Sequence, residues 1–169
     1  MLGLKHDHNL LVDYDAAWPE EFRLEAERLR ATVSGFDYSI EHYGSTSVPG
    51  LRAKPILDIL LGIRPFEEWK ILREPLERLG YDYAEHAGVP GHHIFGKGRD
   101  MTERTHLLHV VELDGAEWRS AISFRDALRS NAQLQRRYLL AKEQAAAEAP
   151  IGRAAYNEIK SKFFASIGA

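Results

Sequence analysis

Residues 42–61, HYGSTSVPGLRAKPILDILL, decide the fold of this 169-residue chain. The stretch begins at the end of one predicted strand and continues into a polar loop around Gly44. A Pro-Gly turn, two basic residues and a second apolar strand follow, and this second strand carries a single carboxylate at Asp58. The order of strand, polar loop and strand predicts a ligand site to which the loop and Asp58 both contribute.

The residue types of the loop suit a phosphate group. Gly44 lets a phosphate approach the backbone because glycine has no Cβ. Ser45, Thr46 and Ser47 offer hydroxyl groups, and successive N–H groups of such a loop can form an anion-binding concavity. Asp58 would hold a divalent ion, Mg²⁺ or Mn²⁺, that neutralises the phosphates. The plainer alternative is an ordinary Gly/Ser/Pro connection between two strands, with Asp58 at a solvated strand position.

Two basic residues follow the loop closely enough to neutralise a bound phosphate. Lys54 would act as a point charge and Arg52 as a planar fork of donors. The loop does not match two better-known motifs. It lacks the lysine of a Walker A loop, and Ser45 lacks the second glycine of the G-x-S-x-G elbow. P-loop kinase or GTPase chemistry is therefore not expected.

Four segments resemble, in their order along the chain, the GrpB family of small bacterial proteins with a nucleotidyltransferase-like fold: GSTSVPGL, AKPILDI, RTHLLHVVE and FRDALRS. The resemblance extends from Val12 to Ile167. It implies a single α+β domain over residues 1–169, with helices packed on a nucleotidyltransferase-like mixed sheet and a helical C-terminal third. A related domain is appended to some dephospho-CoA kinases, where it looks more like an assembly aid than a catalyst.

One position departs from the wider nucleotidyltransferase pattern. Active members usually present Asp-x-Asp or Asp-x-Glu on the strand after the loop, whereas here Leu60 follows Asp58 at that spacing. Because strand side chains alternate, residues 58 and 60 share a face, and an apolar group occupies the place of the second carboxylate. A two-metal site needs ligands for both ions. By the same analogy Glu112 is the candidate metal ligand from a later strand, although a solvated strand end explains it equally well.

His109 is the candidate proton carrier of the site, since histidine serves readily as a neutral ligand or a general base. The flanking residues favour a strand, and an odd separation along a strand places side chains on opposite faces. His106 and His109 should therefore not bind one ion together. A hydrogen-bonded structural role is the alternative for His109.

Composition limits the remaining choices. The formal net charge of −3 lacks the basic excess of a nucleic-acid binder, and the absence of cysteine excludes disulfides, thiolate metal sites and cysteine nucleophiles. No apolar run approaches the ~20 residues that span a bilayer. The N-terminal residues do not resemble a signal peptide. We therefore expect a cytoplasmic protein with neither nucleic-acid nor membrane partners.

Hydrophobic periodicity predicts alternating strands and helices, followed by helices alone. Predicted helices cover residues 18–33, 66–79, 117–130, 132–149 and 153–167, and predicted strands cover residues 38–42, 55–63, 81–85, 92–95 and 104–112. Asp15 is the predicted N-cap of the first helix, and Pro75 should kink or split the second.

Two functions from different classes follow. The first is a protein that binds a small nucleotide or phosphate ligand and transfers a nucleotidyl group from it to a small acceptor. The second is a degenerate, non-catalytic module that acts through a protein partner as an assembly or folding aid. The intact GSTSVPG loop favours the first function, and Leu60 favours the second.

Overall fold

The computed structural model describes residues 1–167, so the last two residues of the predicted domain lie outside the described range. A five-stranded mixed sheet in the order β2-β3-β7-β5-β4 forms the centre, and β1 and β6 form a separate two-stranded sheet. The strands are β1 (Leu4–Lys5), β2 (Asp37–Tyr43), β3 (Leu57–Arg64), β4 (Tyr81–Tyr83), β5 (His93–Lys97), β6 (Glu103–Arg104) and β7 (His106–Glu112). Strands β3 and β7 are parallel, and the other neighbours in the central sheet are antiparallel.

Most helices occur at the positions that periodicity predicts, although α1 ends at Arg30 and not at residue 33. They are α1 (Trp18–Arg30), α2 (Arg73–Arg78), α3 (Ala116–Ser130), α4 (Ala132–Glu148) and α5 (Arg153–Ser166), with 3₁₀ turns at Ser45–Ser47 and Phe66–Leu72. The predicted α+β class and helical C-terminal third are thus confirmed. Within the described residues, no helix has both the length and the apolar character needed to cross a membrane.

Two local predictions need correction. The segment predicted as one helix over residues 66–79 is a 3₁₀ helix followed by α2, and the change falls before Pro75. Pro75 lies in the first turn of α2, where a missing N–H breaks no helical hydrogen bond. Asp15 accepts a hydrogen bond from the Ala17 N–H at 2.9 Å. However, the N-cap of α1 is Ala17, which makes no side-chain cap hydrogen bond.

The two faces of the central sheet have different roles. On one face Ile59 and Leu61 of β3 pack with Val110 of β7 against α1, and these side chains are fully buried. Because strand side chains alternate, Asp58 and His109 lie on the opposite face. The sequence pattern of β3 and β7 therefore builds a hydrophobic core on one side and leaves a polar pair on the other.

The helical C-terminal third lies over the loop between β2 and β3. Val48 and Leu51 of the loop form a second buried cluster with Leu128 of α3 and Tyr138 of α4. Partly buried hydrophobic side chains of α3, α4 and α5 pack against this cluster. This packing fixes the loop between the sheet and the last helices, and it encloses a cavity there.

Candidate functional site

A cavity of about 550 Å³ lies between the 44–46 loop, the polar face of the sheet, and helices α3 to α5. Several sequence-predicted residues line it together: Gly44, Ser45, Thr46, Lys54, Asp58 and His109. The helices add a second group that includes Arg125, Tyr138, Lys142, Arg153, Tyr156 and Lys160. The structure thus brings the predicted loop, carboxylate and histidine to one place.

The backbone of the loop at Gly44 lies directly against the side chain of Asp58. Gly44 has φ 70° and ψ −171°, a backbone conformation that is essentially restricted to glycine. A Cβ on Gly44 would lie 2.5 Å from Asp58 Oδ2, closer than real Cβ contacts permit. The glycine is therefore needed both for the turn and for contact between the loop backbone and the carboxylate.

Hydroxyl groups of the loop serve partly to hold its shape. Ser47 Oγ donates to the Gly44 carbonyl at 2.6 Å, and Thr46 Oγ1 lies 2.9 Å from Nε2 of His42. Arg129 Nε donates to the Ser47 carbonyl at 2.9 Å. Ser47 does not line the cavity, so its predicted contact with a phosphate is not favoured by this geometry. Ser45 Oγ, 3.4 Å from the Tyr138 hydroxyl, remains on the cavity surface.

Two other predicted residues lie elsewhere. Arg52 contacts Asp13 at 3.0 Å and Glu143 at 2.6 Å, outside this cavity, so these carboxylates already balance its charge. Glu112 is paired with Ile63 at the far end of β7, on the face opposite Asp58. The predicted pairing of Glu112 with Asp58 as metal ligands is therefore not supported by the strand register.

Basic side chains around the cavity carry the main electrostatic feature. Burial, reinforced by the nearby charges of Lys160 and Arg153, lowers the pKa of Lys54 to about 8. Burial and Lys160 likewise lower the pKa of Lys142 to about 7, while Asp58 acts in the opposite direction. None of these four basic residues forms an ion pair with a carboxylate among residues 1–167. The cavity therefore holds four basic side chains that no carboxylate of the described residues contacts directly, although Asp7 and Asp58 also line it.

The two lysines are fixed by neutral partners. Lys54 Nζ donates to Asn9 Oδ1 at 2.6 Å and lies 3.7 Å from the centroid of the Tyr156 ring. Lys142 Nζ donates to the Arg52 carbonyl at 2.7 Å, and its side chain is only 2% exposed. Cation–π contact and carbonyl oxygens offset part of the cost of burying a charge, but they bring no negative charge.

His109 is surrounded by polar and aromatic groups. Its Nε2 lies 3.8 Å from Asp58 Oδ1, and its Nδ1 lies 3.2 Å from Nδ1 of His92. The ring is edge-on to Tyr43, with centroids 5.3 Å apart. His106 points to the other face of the sheet, as the strand parity predicts. Among the described residues, no cluster of three or more His, Cys, Asp or Glu side chains could hold a metal ion.

Sequence reasoning missed the residues that α4 and α5 contribute. Lys142 lies 84 positions after Asp58, and no local motif connects the two. One signal was available, because the buried positions of α4 are Tyr138, Lys142 and Ala145, at helical spacing. A lysine within the apolar stripe of a helix has to be explained by a partner or a site.

The mixed sheet with helices packed on it has a nucleotidyltransferase-like fold, and solved structures support this fold class. Cid1 poly(U) polymerase bound to MgGTP is similar, with a TM-score of 0.53 and 14% identity, over 80% of this chain and 44% of that one. Its complex with the UTP analog UMPNPP gives a TM-score of 0.52 and 17% identity, over 87% of this chain and 48% of that one. At this level of identity the likeness concerns the fold alone.

The chain belongs to the GrpB family, whose profile, described as GrpB protein, matches residues 10–169. It is similar to the "Glutamate-rich protein GrpB" of Alkalihalophilus pseudofirmus, with 32% identity over 96% of this chain and 95% of the relative. The crystal structure of conserved protein GrpB from Enterococcus faecalis matches with a TM-score of 0.77 and 30% identity, over 95% of this chain and 100% of that chain.

Other relatives are longer than this chain. The UPF0157 protein YqkA of Bacillus subtilis is 34% identical over 83% of this chain, which covers 40% of YqkA. A dephospho-CoA kinase of Mycobacterium tuberculosis is 33% identical over 45% of this chain and 19% of the kinase. The resemblance to a domain joined to such kinases, inferred from the sequence, is consistent with this partial match.

Proposed function

We propose that the cavity binds a small phosphorylated ligand of the nucleotide class. The observation that carries this proposal is the convergence of Lys54, Lys142, Arg153 and Lys160 on a cavity lined by the Ser45 loop, without a carboxylate partner for any of them among residues 1–167. A polyanion would supply the missing counter-charge. The cavity volume of about 550 Å³ lies within the range typical of small-molecule sites.

Asp58 is the residue that would hold Mg²⁺ or Mn²⁺. A single carboxylate fits such an ion, because Mg²⁺ is commonly bound by one or two carboxylates together with substrate phosphates and water. Asp58 is 30% exposed and faces the cavity next to the Gly44 backbone. The ion would supply charge neutralisation for the phosphates, while Lys54, Lys142 and the loop N–H groups bind their remaining oxygens.

Transfer of a nucleotidyl group to a small acceptor is the reaction that this arrangement supports best. Such a reaction needs a group that takes the proton of the acceptor, and His109 is the side chain beside Asp58 that suits this role. Basic residues of the cavity would stabilise the charge that develops on the leaving pyrophosphate.

The proposal is tested by thermal unfolding with nucleoside mono-, di- and triphosphates, each with and without Mg²⁺ or Mn²⁺. A ligand at one hundred times its Kd should add about 2.7 kcal/mol to the free energy of unfolding. We expect Asp58→Asn to fold and to lose the metal-dependent part of this gain, whereas the exposed surface control Asp37→Asn should keep it. If no nucleotide stabilises the parent protein under any of these conditions, the proposal is wrong.

A second function has one specific observation in its favour. Leu60 is fully buried on the face that carries Asp58 and His109, where an active two-metal site would present another carboxylate. A non-catalytic module that acts through a protein partner would need no second ligand. Absence of nucleotide binding in the unfolding experiment would favour this second function.

A further inference from the structure

His92, which no sequence motif marks as part of the site, connects His109 to the protein surface. Its Nδ1 lies 3.2 Å from Nδ1 of His109, and its Nε2 lies 3.4 Å from Glu117 Oε2 in the first turn of α3. The His109 ring continues the series, with Nε2 3.8 Å from Asp58 Oδ1. The histidine side chains are 10% and 13% exposed, whereas Glu117 is 48% exposed. Two histidines thus link a surface carboxylate to the cavity carboxylate.

The hydrogen-bond chemistry of this series allows two orientations of the protons when both rings are neutral. In the first, His92 Nε2–H donates to Glu117, His109 Nδ1–H donates to His92, and His109 Nε2 is left as an acceptor. In the second, every proton moves to the other ring nitrogen, and the bare Nε2 of His92 faces the Glu117 carboxylate. A lone pair facing a carboxylate at 3.4 Å is repulsive, which disfavours the second orientation.

The second orientation also gains little at the other end. A His109 Nε2–H group would be 3.8 Å from Asp58 Oδ1, beyond hydrogen-bonding distance. The first orientation also turns a lone pair towards a carboxylate, that of Asp58, but at 3.8 Å rather than 3.4 Å, and a hydrogen-bond donor in the cavity can bridge these two acceptors. Burial and the neighbouring His109 lower the pKa of His92. The ring of His92 therefore stays neutral, and the two proton orientations remain distinct.

We propose that Glu117 and His92 are positioning residues that hold His109 in the tautomer whose unprotonated Nε2 faces the cavity. His109 then accepts a hydrogen bond from a hydroxyl group of a ligand bound beside Asp58. The role of His109 towards a bound ligand rests on the proposed function, but its tautomer is a property of the protein without ligand. A hydrogen-bonded partner on the second ring nitrogen is a common way to fix the tautomer of a functional histidine.

Local packing holds Glu117 close to this series. Gly91 precedes His92 and has φ 73°, and a Cβ at Gly91 would lie 2.7 Å from Glu117 Cγ. The turn before β5 therefore lets the Glu117 side chain pack directly over its backbone. An acid in the first turn of a helix is also favoured by the helix dipole, which explains its presence but not its contact with His92.

The experiment is imidazole ¹⁵N NMR of the ligand-free protein at about pH 8, above the ordinary histidine pKa of about 6.5. We expect His109 to carry its proton on Nδ1 and to give the signal of an unprotonated nitrogen at Nε2. Glu117→Ala should shift this proton towards Nε2, the position that free histidine favours. Glu117→Gln should retain the parent tautomer, because the amide oxygen can still accept from His92.

Glu112→Ala is the matched control, since it removes an exposed carboxylate from the end of β7 without changing the series. Its spectrum should match that of the parent. A parent protein with the His109 proton on Nε2, or a Glu117→Ala variant with an unchanged His109 tautomer, would overturn the proposal. Because no ligand is added, this outcome is independent of whether nucleotides bind.

Discussion

Gly44 and Asp58 are in direct contact across the strand-to-strand loop, and the space between them admits no side-chain atom. A Cβ at Gly44 would lie 2.5 Å from Asp58 Oδ2 and 2.9 Å from Asp58 Cβ. The backbone N–H groups of the loop and the carboxylate therefore lie on one wall of the cavity. This contact, rather than the serine and threonine hydroxyls alone, explains why the loop needs a glycine where the strand ends.

We predict that Gly44→Ala lowers the free energy of unfolding by about 1–3 kcal/mol, the cost of a non-glycine residue in this backbone region. It should also weaken nucleotide binding, because Asp58 must move.

Gly50→Ala and Gly35→Ala are the matched controls. Gly50 has φ 78° but no atom near its Cβ position, and Gly35 also has open space. Chemical denaturation and a binding titration would separate backbone strain, shared with Gly50→Ala, from displacement of Asp58. Equal nucleotide affinity in Gly44→Ala and Gly50→Ala would contradict the proposed role of the contact.

Lys142 should lower the free energy of unfolding of the ligand-free protein and strengthen ligand binding. Burial lowers its pKa to about 7, so the charged form is disfavoured in the empty cavity. We predict that Lys142→Met raises the free energy of unfolding at pH 6 by a few kcal/mol, since one pKa unit corresponds to about 1.4 kcal/mol. The same change should weaken binding of nucleoside triphosphates at least about tenfold, because one cation of the cavity is lost. Lys162→Met, on the exposed side of α5, is the control and should change neither quantity appreciably. A stabilised Lys142→Met that binds as tightly as the parent would show that Lys142 has no part in ligand binding.

The pH dependence of stability should reflect two buried histidines. Burial lowers the pKa of both His42 and His106 to about 4, against 6.5 for the ordinary side chain. The unfolded chain therefore takes up protons that the folded protein does not, and stability falls as pH decreases from 6.5 towards 4. Between pH 6.5 and 5 we expect a loss of about 2 kcal/mol for each of these histidines.

Denaturant unfolding at pH 7 and pH 5 measures this loss. His42→Asn should make the difference between the two pH values smaller, whereas His86→Asn, at an exposed position, should leave it unchanged. A difference that is unaffected by His42→Asn would mean that His42 is protonated in the folded protein. His42 also holds the loop through Thr46, so the variant should lose some stability at pH 7 as well.

The sequence predicted the parts of the site that are close together along the chain. Strand parity correctly placed Asp58 and Leu60 on one face and separated His106 from His109, because β3 and β7 are regular and their register contains no bulge. The same alternation separates Glu112 from His109, three positions before it, and only the resemblance suggested Glu112 as a ligand. The contributions of Lys142 and Lys160 depend on how α4 and α5 fold back over the loop. Hydrophobic periodicity predicts that these helices are buried, but not which loop they cover.

Arg52 also shows that local sequence does not determine which side chains reach the cavity. Its position two residues before Lys54 suggested that both would reach a phosphate, yet only Lys54 lines the cavity. The difference arises from long-range partners, because Asp13 and Glu143 hold the guanidinium of Arg52 on the outer surface. Carboxylates so distant in sequence cannot be assigned to one arginine without the tertiary structure.

The residue at position 60 distinguishes an active two-metal site from a non-catalytic module, because Leu60 stands where a second metal-binding carboxylate is expected. It is fully buried on the Asp58 face, and in the sheet it lies beside His109. We predict that Leu60→Asp lowers the free energy of unfolding in chelator by roughly 3–5 kcal/mol, because an unpaired charge is buried near another carboxylate. Added Mg²⁺ or Mn²⁺ should recover part of this loss, since an ion between two carboxylates removes their repulsion.

Leu60→Asn is the matched control, destabilised by the buried amide but unresponsive to metal. We expect the parent, with one carboxylate, to respond weakly to metal alone. Equal metal responses of the Asp and Asn variants would show that residue 60 is part of the core and does not reach the ion position beside Asp58.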